Sequence, residues 1–529
     1  MRLALTLWFF VASHAAAQEI DAVTPPSRRP VGSPGGSAPT PAASQSSGSS
    51  APASSSGAAV AAALAAVATP SAAPTSASAA APTPSEAPPS LAPAATPTGF
   101  DFLNGRIELG SYGRAAVGSD LTGRLGKSAN VVAHGPRLIE DPYAELEVRR
   151  EDTFGPVKSR VVATVAFFAP FFHFSGDVSQ HIALRNLFAE GTVGGLTLWG
   201  GSRMYRGDDI YLLNFWPLDD LNTVGGGASY RFSTGTELRA HVGLQRLDQR
   251  SQTQAVLAPN PLGFGAVSVA RLDRPRLIES LKLTHEFKAG AGGVRVSLYG
   301  EAHQLSAGVS RNTATGDETV LPADGGGMFG AQLTGWLPNG RFVHVWARHA
   351  LGLGVYDELT TPVTFANDRT TRGANSTRLA TAAGWDSSSF GVLLGGYLDL
   401  VRDAGVSSST AQKYDEGAIA ARGQWYASRW FGLAVEASYQ RRIYSLVDPA
   451  TGQLRSGGVT QLGVMPFFSP LGQGLFARPQ LRLIYSLSLR DAGARSFYAA
   501  DDVTSQRGVE HYLGVSVEWW FNSSTYPVR

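Results

Sequence analysis

Residues 513–521 alternate strictly between apolar and polar side chains, and this pattern constrains the fold more than any other in the chain. The side chains of a β-strand point alternately to its two faces. One face of this strand would carry Val515, Val517, Trp519 and Phe521. The opposite face would carry Ser516, Glu518 and Trp520. A carboxylate between apolar neighbours indicates a strand with one dry face and one wet face.

The same alternation recurs between Phe100 and Phe521, in segments separated by clusters of Gly, Asn, Asp and Pro. A soluble β-sandwich with solvent on its polar faces would satisfy the alternation alone. Every segment along the region has one apolar face and one polar face, however, and a single sheet of this size would have to close on itself. At roughly 22–26 residues per strand and connection, the region holds about 16–20 strands. We therefore predict an all-β fold, a large antiparallel transmembrane β-barrel of about 18 strands with a water-filled lumen.

The N-terminal residues have the features of a secretory signal peptide. Arg2 supplies a positive charge, Leu3 to Val11 form an apolar stretch, and Ala15 to Ala17 are the small residues expected before a cleavage site. Residues 1–17 are therefore predicted to be cleaved before Gln18, and the mature chain to reach the bacterial outer membrane. The chain contains no cysteine, so disulfides cannot stabilise it after export.

Residues 18–98 differ in composition from the rest of the chain. They are mostly Ala, Pro, Ser, Thr and Gly, and they include no aromatic residue. Such a segment cannot bury enough apolar surface to offset the entropy lost on ordering. It is predicted to be a disordered linker, either a simple tether or a spacer that reaches the cell wall or a periplasmic partner. Residues 99–529 then form the barrel domain.

Charge and motifs argue against several other functions. The net charge is only +2, which indicates no nucleic-acid partner. Asp501 and Asp502, and His511 with nearby Ser505, are isolated polar pairs rather than a catalytic constellation. No G-x-S-x-G motif occurs, and no His and acid cluster has the spacing of metal ligands. We therefore predict that the protein is not an enzyme and needs no metal or other cofactor.

Five short segments, taken in order, resemble the maltoporins, the trimeric carbohydrate porins of Gram-negative outer membranes. The segments are Gly110–Gly118, Pro136–Glu147, Trp199–Asp219, Phe476–Arg482 and Val517–Trp520. The resemblance implies a third loop that folds into the lumen and narrows it, and it also implies a homotrimer. The chain departs from the family in the second loop, near His173 to Gln180, which is short and has no Trp.

The resemblance also implies a track for sugars. The apolar C–H faces of a sugar ring need flat aromatic partners, and its hydroxyl groups need charged donors and acceptors that bind strongly but release. The implied aromatic residues are Tyr112, Tyr143, Trp216, Phe476 and Trp520, with Trp336 as an additional candidate. The implied polar residues are Arg114, Arg137, Glu145, Arg185, Arg206 and Asp209. Arg114 and Glu145 each lie two residues from a track tyrosine, so strand geometry places them on the same wall.

These residues predict an outer-membrane porin for the facilitated diffusion of maltodextrin-like oligosaccharides. The family's constriction arginine aligns with Gly207 and one of its constriction acids with Asn214, which predicts a pore of altered charge. The alternative is a general or other-solute diffusion porin with the same fold but without saturable sugar binding. Sequence alone leaves both functions open.

Overall fold

The structure is a computed structural model that describes residues 99–523, apart from residue 104 and residues 169–180, 246–252, 260–265, 273, 312–316, 339, 357–367, 405–412 and 448–451. The predicted signal peptide and linker, residues 1–98, lie outside the described residues. The short second loop near residues 173–180 also lies outside them.

Across the described residues, one sheet of nineteen strands forms the body of the protein. The short strand β1 (Phe100–Phe102) pairs only with the start of β2, and the other eighteen strands form a closed wall. The wall strands are β2 (Gly105–Ser119), β3 (Tyr143–Phe154), β4 (Val157–Phe168), β5 (His181–Val193), β6 (Leu196–Arg206), β7 (Asp220–Arg231), β8 (Thr236–Gln245), β11 (Arg276–Ala289), β12 (Gly292–Leu305), β15 (Asp324–Leu337), β16 (Arg341–Gly352), β17 (Asn375–Asp386), β18 (Phe390–Arg402), β19 (Tyr414–Tyr426), β20 (Phe431–Val447), β21 (Leu454–Phe468), β22 (Gln480–Arg490) and β23 (Val509–Phe521).

The wall closes where the last strand meets the first. Strands β23 and β2 are antiparallel, with Trp520 opposite Tyr112 and Glu518 opposite Arg114. Each remaining wall strand pairs antiparallel with the next one along the chain. The prediction of a closed antiparallel barrel of about 18 strands is therefore confirmed. No helix in the described part of the chain is long and apolar enough to cross a membrane.

The two ends of the barrel differ in their connections. Turns of a few residues join most of the strands at one end, here called the turn end, as at residues 155–156 between β3 and β4. The connection between β21 and β22, residues 469–479, lies at the same end and is longer. Long connections lie at the other end. They include the hairpin of β9 (Thr253–Pro259) and β10 (Ala266–Leu272), and that of β13 (Gly308–Arg311) and β14 (Glu318–Leu321). Two short helices, α1 (Ala492–Arg495) and α2 (Val503–Gln506), lie between β22 and β23.

The barrel wall is apolar outside and polar inside, the reverse of a soluble protein. On β3, Leu146 is 57% exposed and Val148 is 49% exposed, whereas Glu145 and Glu147 are buried. Side chains of this kind that face outward would be costly in water but are suited to lipid. The two-faced strands predicted from the alternation are thus present, and the charged face is the lumenal one.

Aromatic side chains on the outer surface gather at the turn end. They flank the short turns and are largely exposed, as is typical of the girdle where a barrel meets the membrane interface. The group consists of Phe154, Trp385, Phe390, Trp425, Phe431 and Phe521.

The connection of residues 207–219, between β6 and β7, folds into the lumen as predicted, and we call it the inner loop. It contains a 3₁₀ turn, Tyr211–Leu213, whose residues are buried. Gly395 on β18 makes room for it, because a Cβ there would come within 2.3 Å of Ile210 Cγ2. Glycine thus permits the loop to approach the wall closely.

A second lumenal segment, residues 120–142 between β2 and β3, was not predicted, and we call it the crossing segment. Its backbone N–H groups donate to side chains of the far wall. Val131 donates to Gln440 Oε1 at 2.8 Å, and His134 donates to the Tyr397 hydroxyl at 3.2 Å. The imidazole of His134 also stacks on Phe215 of the inner loop, with ring centroids 3.7 Å apart. The two segments therefore pack against each other inside the barrel.

Candidate solute pathway

Three of the predicted track residues form one end of a continuous set of rings. Tyr112 and Tyr143 lie on neighbouring strands, and their ring centroids are 6.0 Å apart. Trp520, opposite Tyr112 in the register, packs against the same group. These three side chains share a wall because each occupies a lumen-facing position of β2, β3 or β23.

The set continues through the inner loop to the turn between β21 and β22. The Tyr211 ring centroid lies 6.4 Å from that of Trp520 and 5.5 Å from that of Phe476. Phe476 lies 6.4 Å from Phe342 on β16. We call this set the aromatic row: Tyr143, Tyr112, Trp520, Tyr211, Phe476 and Phe342.

The members of the aromatic row differ in burial. Tyr112, Tyr143 and Tyr211 are buried, because the inner loop and the wall cover them. Trp520, Phe476 and Phe342 are only partly buried. A solute in the lumen would therefore meet Trp520, Phe476 and Phe342 first.

Glu518, which was not among the predicted polar residues, is the centre of the charged groups beside the row. Its Oε2 accepts from the Tyr211 hydroxyl at 2.8 Å, from Arg478 Nε at 2.8 Å and from Arg482 Nη2 at 2.7 Å. Its Oε1 accepts from Arg137 Nη2 at 3.1 Å. One carboxylate thus binds groups from the inner loop, the crossing segment, the β21–β22 connection and the wall.

The predicted residues Arg114 and Arg137 meet through a second carboxylate. Arg137 donates two hydrogen bonds to Glu140, at 2.7 and 2.9 Å, and Arg114 Nη1 lies 3.3 Å from the same group. The Arg137 guanidinium also lies 4.6 Å from the Tyr211 ring centroid, a cation–π distance. Both predicted arginines therefore adjoin the aromatic row.

The predicted residues Glu145 and Arg185 form a separate pair beside Tyr143. Arg185 donates to both the Glu145 carboxylate and the Tyr143 hydroxyl. Glu145 and Arg185 are buried. The structure thus brings this pair to the β3 end of the row.

Trp216 and Arg206 lie apart from the aromatic row. The Arg206 guanidinium stacks over the Trp216 ring at 4.0 Å and pairs with Asp220. Trp216 lines a small cavity whose other walls are His134, Phe215, Asp220, Leu221, Glu301, Met328, Arg348 and Arg378. Of the five predicted aromatic residues, four belong to the row and Trp216 belongs to this second region.

The ends of the inner loop are fixed to the wall by ion pairs. Asp208 pairs with Arg295 of β12, and Asp219 accepts from Lys282 Nζ of β11 at 2.6 Å. Burial by itself raises the pKa of the Asp208 carboxyl. The positive charges of Arg295 and Lys282 outweigh that effect, so the pKa lies below its ordinary value. The predicted Asp209 is buried next to Asp208.

Trp336, the additional candidate, lies on β15 opposite Phe342 in the register. Its ring stands over Gly293, where a Cβ would come within 2.5 Å of Trp336 Cζ2. Phe342, a member of the row that sequence reasoning missed, begins a run of lumen-facing rings with His344 and Trp346 on β16. The alternation of that strand could have identified it.

A closed eighteen-stranded barrel with an apolar exterior, a charged lumen and inward-folded loops defines an outer-membrane porin. The model of the LamB porin family matches residues 107–521, and the chain belongs to this family. This membership confirms the resemblance to the maltoporins. Because the members of this family are porins, the membership also indicates that the protein is a channel.

Comparison with solved structures finds other outer-membrane channels at low sequence identity. Pseudomonas aeruginosa OccD3 (OpdP) is 11% identical, with a TM-score of 0.41 over 84% of this chain and 99% of that one. The outer membrane channel DcaP of Acinetobacter baumannii is 10% identical, with a TM-score of 0.40 over 80% of this chain and 100% of that one. A comparison with curated protein sequences finds no match.

Proposed function

We propose that the protein is a channel for the facilitated diffusion of oligosaccharides, which move along the aromatic row. The observation that carries the proposal is the continuity of the row, in which four pairs of rings meet edge-to-face or tilted with centroids 5.5 to 6.4 Å apart. A sugar in the lumen would contact the partly exposed members of the row, Trp520, Phe476 and Phe342, in turn. Sites in series that each bind weakly favour passage over trapping.

The partly exposed rings would hold the sugar faces, and the charged groups beside them would orient its hydroxyl groups. Arg478 illustrates the arrangement, because its guanidinium lies 4.6 Å from the Trp520 ring centroid and its Nε binds Glu518. Charge-assisted hydrogen bonds are stronger than neutral ones, so such groups can compete with water for the hydroxyls.

Replacement of Trp520 by alanine tests this proposal. We expect Trp520→Ala to weaken saccharide binding about fivefold, because one ring contact is worth about 1 kcal/mol. Binding would be measured as sugar block of the current through single channels in a planar bilayer, and the open-channel current should remain.

Trp519→Ala is the matched control. Trp519 is the next residue along β23 but points to the outer face, where its Nε1 donates to Ser111 Oγ at 3.0 Å. It should leave the sugar block unchanged. If no saccharide blocks the wild-type current at any concentration, the alternative of a general diffusion porin holds instead.

Assembly and export are further parts of the proposal. By family resemblance, we propose a homotrimer. From the composition and pattern of the N-terminal residues, we also propose cleavage of residues 1–17 and a tethering role for residues 18–98. Chemical cross-linking of the purified protein in detergent should give a trimer as the largest product. N-terminal sequencing should begin at Gln18.

A further inference from the structure

The connection between β21 and β22, residues 469–479, binds a wall strand that is not its neighbour. The N–H of Leu475 donates to Asp386 Oδ2 at 2.9 Å. Asp386 is the last residue of β17 and has the lumen-facing parity of Arg378 on the same strand. Strands β18, β19 and β20 lie between β17 and β21 in the wall. The connection therefore leaves the wall and crosses the lumen at the turn end, and we call it the turn-end bridge.

Packing as well as hydrogen bonding holds the turn-end bridge at Asp386. The Tyr426 hydroxyl donates to Asp386 Oδ1 at 2.9 Å, so the carboxylate itself is fixed. Gly391 of β18 leaves room for Leu475, because a Cβ there would come within 2.7 Å of Leu475 Cδ2. Leu475 is buried. A backbone N–H in such a place is costly to leave without a partner, so Asp386 supplies a contact that the bridge needs.

Phe476 of the aromatic row lies between two anchors of the turn-end bridge. The residue before it, Leu475, is bound to Asp386 of β17. Two residues after it, Arg478 Nε donates to Glu518 of β23 at 2.8 Å. Arg478 reaches Glu518 through a long side chain, which leaves its backbone some freedom, whereas Asp386 binds the backbone itself. The position of the Phe476 ring therefore depends directly on Asp386.

Asp386 holds the bridge close to the next ring of the row, Phe342. Phe342 lies opposite Gly384 in the register, two residues from Asp386 on the same face of β17. The Phe476 and Phe342 ring centroids are 6.4 Å apart. A bridge released from Asp386 would carry Phe476 away from Phe342, and the row would end before β16.

We propose that Asp386 is a positioning residue for the solute pathway, which keeps Phe476 in the aromatic row by holding the backbone of the turn-end bridge. The inference rests on the proposed saccharide pathway and adds to it a residue that acts through Phe476 rather than through contact with the solute. Pathway geometry needs such support, because a ring on an unanchored connection would present its face to the solute in only part of its positions.

Titration of maltotriose into single channels of the full mature chain tests the proposal. We expect Phe476→Ala, which removes the ring, to raise the blocking concentration about fivefold, and Asp386→Ala, which releases it, to raise that concentration about threefold. Asp386→Asn keeps a carbonyl oxygen that can accept from the Leu475 N–H, so it should block like the wild type. An Asp386→Asn channel as impaired as Asp386→Ala would contradict a role through this hydrogen bond.

Double variants separate positioning from a general loss of structure. Asp386→Ala should add nothing to Phe476→Ala, because a ring that is absent cannot be misplaced. In the Trp520→Ala background, the same change should still weaken the block about threefold. If Asp386→Ala weakens the block equally in both backgrounds, its effect does not pass through Phe476 and the inference is overturned.

Asp491→Ala is the matched control. Asp491 also holds a connection by backbone N–H groups, from Gly458 at 2.9 Å and from Ala494 at 2.7 Å, but it lies between β22 and β23 at the opposite end of the barrel. It should leave the block unchanged. An equal loss in Asp491→Ala and Asp386→Ala would contradict a local effect.

A spin label on the turn-end bridge tests the anchor without any sugar. The chain contains no cysteine, so Gln473→Cys, at an exposed position of the bridge, gives a single site for a nitroxide. The mobility of the label should rise in Asp386→Ala and stay low in Asp386→Asn. If maltotriose does not block the wild-type current, the saccharide pathway fails, and the label alone decides whether Asp386 holds the bridge. Equal mobility in Asp386→Ala and the wild type would overturn the inference.

Gly391→Ala reaches the same contact by overlap and serves if Asp386→Ala does not assemble. The added methyl group would overlap Leu475 Cδ2 and push the bridge away from β17 and β18. We expect a more mobile label, a weaker block and again no further loss when the change is combined with Phe476→Ala. A Gly391→Ala channel with wild-type block and wild-type label mobility would show that the place of Phe476 does not depend on this side of the bridge.

Discussion

The two sides of the inner loop are held in opposite ways. On the side of the aromatic row, the acid is Glu518 on the wall, and the lumenal segments bring the groups that bind it, including Tyr211 and Arg478. On the other side the loop itself supplies the acids, Asp208 and Asp219, and the wall supplies their cations.

The difference lies in how many segments depend on one carboxylate. Glu518 joins several elements at once, whereas Asp219 joins one end of one loop to one strand. Loss of Glu518 should therefore release several lumenal segments together. Loss of Asp219 should release only one loop end, and the lumen should keep most of its shape.

Glu518→Gln should have the largest effect of the changes considered. It leaves Arg137, Arg478 and Arg482 close together without the shared negative charge. Removal of one partner of a buried ion pair lowers the free energy of unfolding by about 3–5 kcal/mol, and we expect a value at the upper end here. Because the inner loop and the crossing segment lose a common anchor, the single-channel conductance should rise and fluctuate. Denaturant unfolding and single-channel recording would measure the two effects.

Glu510→Gln is the control for this change. Glu510 lies on the same face of β23 as Glu518 and also pairs with an arginine of β22, Arg490. This ion pair is separate from the groups that bind Glu518. It should leave the conductance unchanged. A Glu518→Gln channel with wild-type conductance would contradict the view that one carboxylate holds the lumenal segments.

The fold could be predicted from sequence because alternation is a local property. The lumenal position of Glu145 and the lipid-facing position of Leu146 follow from strand parity alone. The inner loop was expected only through family resemblance. The crossing segment could not be predicted, because its anchors, such as Val131 on Gln440, join residues that are far apart in the chain.

The sequence could place candidate site residues next to one another where they lie on strands, but not where loops converge. Tyr112, Tyr143 and Trp520 could be placed together by parity and family motif. Tyr211 and Arg478 could not, since only the folded loops bring them to Glu518. The central role of Glu518 depends on those contacts. The alternation of β23 predicts that Glu518 faces the lumen, but it does not predict which groups bind this carboxylate.

Asp219→Asn tests the other side of the inner loop. It removes the charge that pairs with Lys282 and should destabilise the barrel by about 3 kcal/mol, since Lys282 remains buried. The conductance should change less than in Glu518→Gln. Asp415→Asn, which breaks a more exposed pair with Arg402, should cost at most about 1 kcal/mol. Equal conductance changes in Asp219→Asn and Glu518→Gln would remove the contrast between the two sides.

Gly395→Ala tests the inner loop by size rather than charge. The added methyl group would overlap Ile210, and overpacking of this kind costs about 1–3 kcal/mol. We expect a shifted inner loop and an altered conductance. Gly396→Ala is the control, because its Cβ would point to the opposite face, with Ala418 O as its nearest neighbour at 3.0 Å. If the conductance changes only in the Gly396 variant, the inner loop does not depend on Gly395.

Tyr211→Phe should have the smallest effect and separates the two roles of this side chain. It removes the hydroxyl that donates to Glu518 but keeps the ring against Phe476 and Trp520. The hydroxyl also accepts from Arg478 Nη2, so the change removes two hydrogen bonds and should cost about 1–2 kcal/mol in unfolding free energy. The saccharide block should persist, because the aromatic row stays continuous. If the block weakens as much as in Trp520→Ala, the hydroxyl rather than the ring joins the inner loop to the solute pathway, and the arginines that surround Glu518 would be the first residues to test in its place.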